Sequence, residues 1–148
     1  MNGIVCKVCG YIALDGEAPE SCPVCGSPKT AFKEKEDAVN TPENPESLED
    51  FEKKHTPDIT VVRECGLIPG ECQDAHVRVG IDIVHPMVPD HFVGWVDFYV
   101  DKKFIARSHL TSSVNPGAGI HLKKDTAGTL SVVEWCNKHG CWMNETSL

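Results

Sequence analysis

No stretch of this 148-residue chain stays apolar for the roughly 18 residues that a membrane-spanning helix requires. Its first residues, Met1 to Tyr11, also lack the basic and then apolar run of a secretory leader. The expectation is a cytoplasmic protein with no membrane partner. Positive charge is scarce: 14 Lys and Arg face 22 Asp and Glu, a formal net charge of −8. A phosphate backbone is held by a basic face, so nucleic acid is excluded as a partner. Residues 1–33 have few branched apolar side chains and cannot bury much of a core, and a unit that small usually needs a metal or disulfides. Neither an internal repeat nor a long amphipathic helix is present.

What the chain does have is unevenly placed. Residues 34–54 carry eight acids and three bases, and this acidity suits a solvated segment better than a binding surface. With its prolines, the stretch 34–50 is expected to form a flexible acidic linker between a unit at 1–33 and a larger one at 51–148. From Thr56 onward, short runs rich in Val, Ile and Phe alternate with turn residues: ITVVR, HVRVGIDIV, HFVGWVDFYV, KFIARSHL, GIHL and TLSVVEW. Alternation within Phe92–Val100 places Val96 and Phe98 on one face and Val93, Trp95 and Tyr99 on the other. Both faces are largely apolar, as for a strand inside a sandwich, so the fold expected is mainly β.

Eight cysteines in a chain of this kind point to metal or redox chemistry rather than disulfides. Cys6-x-x-Cys9-Gly10 and Cys22-x-x-Cys25-Gly26 are two knuckles that turn two thiolates each toward one point. Four thiolates in a tetrahedron suit Zn²⁺ or a single Fe, and spacing alone does not choose between them. The run VCKVCGYIALDGEAPESCPVCGSPKTAF resembles the rubredoxin-like domain of rubrerythrins over residues 5–32. That resemblance implies an iron centre carrying single electrons. The di-iron helical bundle of a rubrerythrin is absent, since Glu52-Lys53-Lys54-His55 is the one E-x-x-H match and no bundle surrounds it.

Three further clusters combine imidazole with a thiol: Lys54-His55-Thr56-Pro57, His85-Pro86-Met87 with Asp90-His91-Phe92, and Cys136-Asn137-Lys138-His139-Gly140. Imidazole suits a borderline metal such as iron, and a thiolate adds a strong electron donor. Pro86 and Pro89 stiffen the loop between His85 and His91. KKHTP, HPM…DHF.GW and CN.HG.W together resemble the superoxide reductases, the desulfoferrodoxin and neelaredoxin group, over residues 51–148. The resemblance implies an immunoglobulin-like β-sandwich. It also implies an iron with equatorial His55, His85, His91 and His139, axial Cys136 and an open sixth position. The activity implied is reduction of superoxide to hydrogen peroxide, with the rubredoxin-like unit as electron relay; the alternative is a non-catalytic carrier with two irons.

Lys54 matches the family's lysine beside the open position, where it would attract the anion and orient water for protonation. Many members have Glu before this Lys, but here Lys53 stands there and Glu52 lies one residue earlier. A carboxylate ligand to ferric iron is therefore in question. The electron donor implied is a rubredoxin or an NAD(P)H-dependent rubredoxin reductase, with homo-oligomer formation left open. His76, His109 and His121 are read as ordinary polar residues. Cys65 and Cys72 flank a hairpin-like turn and are read as free thiols or a reducible pair, without metal. Cys141 is expected to pack beside the iron loop without binding the metal, and the amides of Asn137 and Lys138 to face the Cys136 sulfur.

Overall fold

The computed structural model describes residues 1–148. Three antiparallel sheets form it. The N-terminal sheet has β1 (Gly3–Cys6) between β2 (Ile12–Ala13) and β3 (Phe32–Lys35). A short helix, α1 (Asp50–His55), then leads into a sandwich. One sandwich sheet is β4 (Pro57–Val62), β5 (Cys72–Val79) and β8 (Gly117–Lys123), with β5 central. The other runs in the order β10 (Gly140–Ser147), β9 (Thr129–Cys136), β6 (Val93–Val100), β7 (Lys103–His109).

Two apolar cores lie on either side of this four-stranded sheet. The inner one joins Ala75, Val77 and Val79 of β5 to Val93, Val96 and Phe98 of β6 and Leu130 and Val132 of β9. The outer one joins Trp95, Tyr99, Val133 and Met143 of the sandwich to Tyr11, Ile12 and Ala13 of the N-terminal unit. The apolar character of both faces of β6 thus has two causes, the sandwich interior and the docked N-terminal unit. Val93 departs from the simple alternation. The β6–β9 register shifts between Val93 and Trp95, which pair with the consecutive residues Cys136 and Trp135. Gly94 is the extra residue of this bulge, and it turns Val93 inward beside Val96. A Cβ on Gly94 would lie 2.6 Å from the Trp135 ring, so only glycine fits there.

The flexible linker expected over residues 34–50 differs from the chain's path. Strand β3 extends to Lys35, and Ala38 and Val39 are fully buried in the outer core. The Val39 amide donates to the Met1 carbonyl at 3.2 Å. On the sandwich side the Asn40 amide donates to the Cys141 carbonyl at 2.8 Å, and Met143 donates back to Asn40 at 2.9 Å. These bonds tie residue 39 to the chain start and residue 40 to the sandwich edge, because a backbone leaving a sheet must satisfy its polar groups somewhere. Polar contacts complete the docking. The Tyr99 hydroxyl donates to the Ile12 carbonyl at 2.9 Å, and Arg107 Nη1 to the Cys9 carbonyl at 2.7 Å. Asp97, buried on β6, accepts from Arg107 Nη2 at 2.6 Å, and the guanidinium lies 3.9 Å over the Trp95 ring.

Candidate metal centres

The two cysteine knuckles repeat one set of backbone bonds. Gly10 donates to the Cys6 carbonyl and Gly26 to the Cys22 carbonyl, at 3.0 and 2.9 Å. Cys6 and Cys22 in turn donate to the carbonyls of Tyr11 and Ser27. Both turns need a left-handed residue, and Gly10 and Gly26 each supply φ of 75°. The result brings Cys6 Sγ within 3.7 Å of Cys25 Sγ and Cys9 Sγ within 3.5 Å of Cys22 Sγ. Metal–sulfur bonds of about 2.3 Å imply sulfur–sulfur edges of about 3.8 Å in a tetrahedron, so the cluster has the size of an ion cage. Cys6 and Cys22 are buried, whereas Cys25 is exposed and Cys9 faces the sandwich. Hydrogen bonds from the side chain and backbone of Ser27 lower the Cys25 thiol to about 6, favouring its thiolate form.

The second cluster is assembled from three places. Helix α1 presents His55 in its last turn. A capping box fixes the start of that helix, with the Glu52 carboxylate accepting from the amides of Glu43 and Glu49 at 2.9 and 3.0 Å. Both Glu52 carboxylate oxygens are therefore engaged at the helix start. His55 Nδ1 donates to the Phe51 carbonyl at 2.7 Å, which points Nε2 into the cluster. His85 is placed by its own amide donating to Val79, and its Nδ1 donates to the Pro86 carbonyl at 2.7 Å. His91 closes a tight turn, exchanging two 3.0 Å backbone bonds with Val88. Cys136 ends β9 and His139 precedes β10, where Gly140 at φ 77° closes the hairpin. Asn137 clamps the last two pieces together: its side chain accepts from the Phe92 amide and donates to the Asp90 carbonyl.

The four imidazoles form a square. Adjacent rings, His55–His85, His85–His91, His91–His139 and His139–His55, have centroids 4.7–5.0 Å apart and planes 74–79° apart. The diagonal His55–His91 is longer, at 6.2 Å. His139 turns Nδ1 inward, 2.9 Å from His55 Nε2 and 3.5 Å from Cys136 Sγ. The Nε2 atoms of His85 and His91 are buried with no hydrogen-bond partner. Orphaned ring nitrogens converging on one thiol are what a metal ion would satisfy. Burial, then neighbouring imidazoles, lower the pKa of His85 to about 4, so the ring is a neutral donor at pH 7. The amides facing the Cys136 sulfur are those of Lys138 and His139, one residue further along than expected. The square is buried at His55, His85 and Cys136 and opens toward solvent at His91 and His139.

Lys54 stands beside this opening. It is half-buried, makes no ion pair, and its charge acts on both His55 and His91. Lys138 is the other nearby cation, but it is paired with Asp90 at 3.4 Å. Glu134, two residues before Cys136, is fully buried with neither oxygen hydrogen-bonded, and burial pushes its carboxyl well above the usual carboxylate range. Sequence reasoning missed Glu134; a lone acid in an apolar strand was the available signal. Cys141 lies in the outer core against the N-terminal unit, and burial pushes its thiol up to about 12. His76 and His109 lie outside the square, on β5 and β7. His121 does not behave as an ordinary polar residue, because it meets Cys65, Cys72 and Asp74.

Both clusters fit the two iron centres of desulfoferrodoxin-type proteins. The family model described as desulfoferrodoxin matches residues 47–145, and the one described as the rubrerythrin rubredoxin-like domain matches residues 5–33. A protein named desulfoferrodoxin from Syntrophotalea carbinolica is 32% identical over 142 residues, covering 95% of this chain and 92% of that one. A protein named superoxide reductase from Pyrococcus abyssi is 33% identical over 106 residues, covering 65% of this chain and 88% of its own. Among solved structures, the superoxide reductase of Nanoarchaeum equitans superposes with a TM-score of 0.55 at 28% identity, covering 74% of this chain and 99% of that one. With its fold, its histidine square and its N-terminal cysteine knuckles in agreement with these matches, the chain belongs to the desulfoferrodoxin family and carries a rubredoxin-like domain ahead of the sandwich.

Proposed function

We propose that the protein is a superoxide reductase whose N-terminal unit, residues 1–33, relays electrons to a catalytic unit at residues 51–148. The observation that carries the reading is the square of four inward-facing imidazole nitrogens with one thiol beside it. The donors we assign are Nε2 of His55, His85 and His91, Nδ1 of His139 and Sγ of Cys136. An iron held by these five would supply the single electron that the reduction needs. Superoxide takes up that electron and two protons and leaves as hydrogen peroxide.

The chain's own residues do the rest. The Lys54 ammonium supplies local positive charge at the mouth of a site in an acidic protein, drawing the anion inward and holding water for proton delivery. The Lys138 and His139 amides, directed at the Cys136 sulfur, temper its electron donation. His85 and Cys136, fully buried, keep water from the rear of the site.

Electron supply follows from the docking. Exposed Cys25 offers an external donor its point of approach, and we assign that donor to the rubredoxin or rubredoxin reductase class. On the inner side, Gly10 packs on Trp95: a Cβ there would sit 3.4 Å from that ring. Trp95 stacks on Trp135 with centroids 6.3 Å apart and planes 11° apart, and Trp135 is the residue bonded to Cys136. This is a continuous path of contacts from one thiolate cluster to the other.

The test is pulsed superoxide on the iron-loaded full chain with product analysis. One peroxide per superoxide without oxygen is expected. Oxygen release would identify a dismutase instead, and a ferrous site indifferent to superoxide would identify a simple electron carrier. The relay is tested with redox-silent zinc in the four-cysteine centre. Reductase-driven turnover should collapse while the single-turnover reaction with superoxide persists, and unchanged turnover would refute the relay.

A further inference from the structure

A third group of metal-ligating side chains lies at the other end of β5. Asp74 and His121 are direct partners in the β5–β8 register, so their side chains share one face of the sheet. Cys72 stands two residues before Asp74 on the same strand and therefore on the same face. Cys65 enters from the β4–β5 loop, positioned by its amide donating to the Cys72 carbonyl at 3.3 Å. The four ligand atoms all lie within 4.8 Å of one another.

Hydrogen bonding alone does not account for this convergence. His121 Nδ1 lies 3.2 Å from Cys65 Sγ, 3.5 Å from Cys72 Sγ and 2.7 Å from Asp74 Oδ1. A ring nitrogen carries at most one hydrogen and cannot serve three neighbours. Cys72 Sγ is also 3.2 Å from Asp74 Oδ1. A cation with bonds of about 2.0–2.3 Å would set such edges at about 3.3–3.8 Å, so a small outward shift of the shortest contacts is what separates these edges from those of a tetrahedron. The amides of Leu67 and Ile68, two and three residues after Cys65, face its sulfur. Cys22 and Cys136 have the same arrangement, with amides at the same two offsets. The loop between the two cysteines has little else to hold it, since Leu67 and Ile68 are exposed at 71% and 48%.

We propose that Cys65, Cys72, Asp74 and His121 form a third metal site that binds a zinc-class divalent cation and staples the β4–β5 loop to the sheet. Two thiolates, one imidazole and one carboxylate make a closed four-coordinate set of the structural type, with no place reserved for substrate. His76 Nε2, 3.5 Å from Asp74 Oδ2, steadies the carboxylate from outside. The site stands apart from the histidine square, whose His85 bonds to Val79 at the opposite end of β5, about 20 Å of strand away. It does not depend on the superoxide reductase reading.

The experiment uses the full chain with both iron centres loaded. Zinc added to it should bind at one equivalent per chain and shield Cys65 and Cys72 from alkylation, read by mass spectrometry. Cobalt in its place should give thiolate-to-cobalt absorption bands. Asp74→Asn and Cys72→Ser should each weaken binding by more than about 10-fold, since even a ligand's outer partners are worth 10- to 100-fold, while the iron spectra stay as in the parent. Equal alkylation with and without zinc in the unaltered chain would overturn the proposal without recourse to a variant. So would a Cys65–Cys72 disulfide in anaerobically purified protein.

Discussion

At the scale of single residues, position relative to one ring or one charge decides the outcome. Gly94 has no room for a methyl group against Trp135, and Trp135 adjoins Cys136. Gly94→Ala should cost about 1–3 kcal/mol by overpacking and shift the thiolate-to-iron absorption band of the histidine centre. Thermal unfolding and the optical spectrum check both. Lys54 is the unpaired cation beside the square, so Lys54→Ala should slow the reaction with superoxide and flatten its dependence on salt. Stopped-flow or pulse measurements at several ionic strengths read that slope. An unchanged rate and slope would remove Lys54 from the mechanism. The site residues were largely legible because ligands sit in compact motifs such as Cys136-x-x-His139. Asp74 and His121 were not, because they are 47 residues apart and meet only through strand register.

At the scale of elements, the metal clusters depend on short structures that have little stability of their own. Helix α1 has six residues, too few to persist in water, and is held by its capping box and by the ring packing of Phe51 on His55 and Trp142. Asn137 joins the His91 turn to the Cys136 hairpin through three hydrogen bonds. Asn137→Ala deletes the two that use its side chain, and the histidine centre should then bind iron 10- to 100-fold more weakly. Competition with a chelator measures this, and the four-cysteine centre provides the internal control. The strands were readable from alternation and turn residues. The bulge at Gly94 was not, because an inserted residue changes face parity without altering composition.

At the scale of the whole molecule, the two units behave as one body with a shared core. Heating should therefore give one cooperative transition for the iron-loaded chain rather than two, as calorimetry would show. Arg107 belongs to the sandwich yet bonds the Cys9 carbonyl, and its partner Asp97 is fully buried. Arg107→Met should cost about 3–5 kcal/mol, because it strands a buried carboxylate. Pairing it with Asp97→Leu should restore much of that stability, as a double-mutant cycle would show. The sequence argued for a tether because residues 34–54 are acidic, and charge counting does not register that Ala38 and Val39 are buried. The apolar outer face of β6 was the legible hint that something covers it.

Strand β6 has no side facing water along Trp95–Tyr99, since each face builds a different core. For a strand with one buried face, a one-residue slip carries that apolar set out to solvent. Here the same slip would send Trp95 and Tyr99 into the sandwich interior and Val96 and Phe98 under the N-terminal unit, misfiling both cores together. A single-codon insertion or deletion within this strand thus disrupts both cores at once, whereas equal changes at 44–46, on the surface, should pass with little effect.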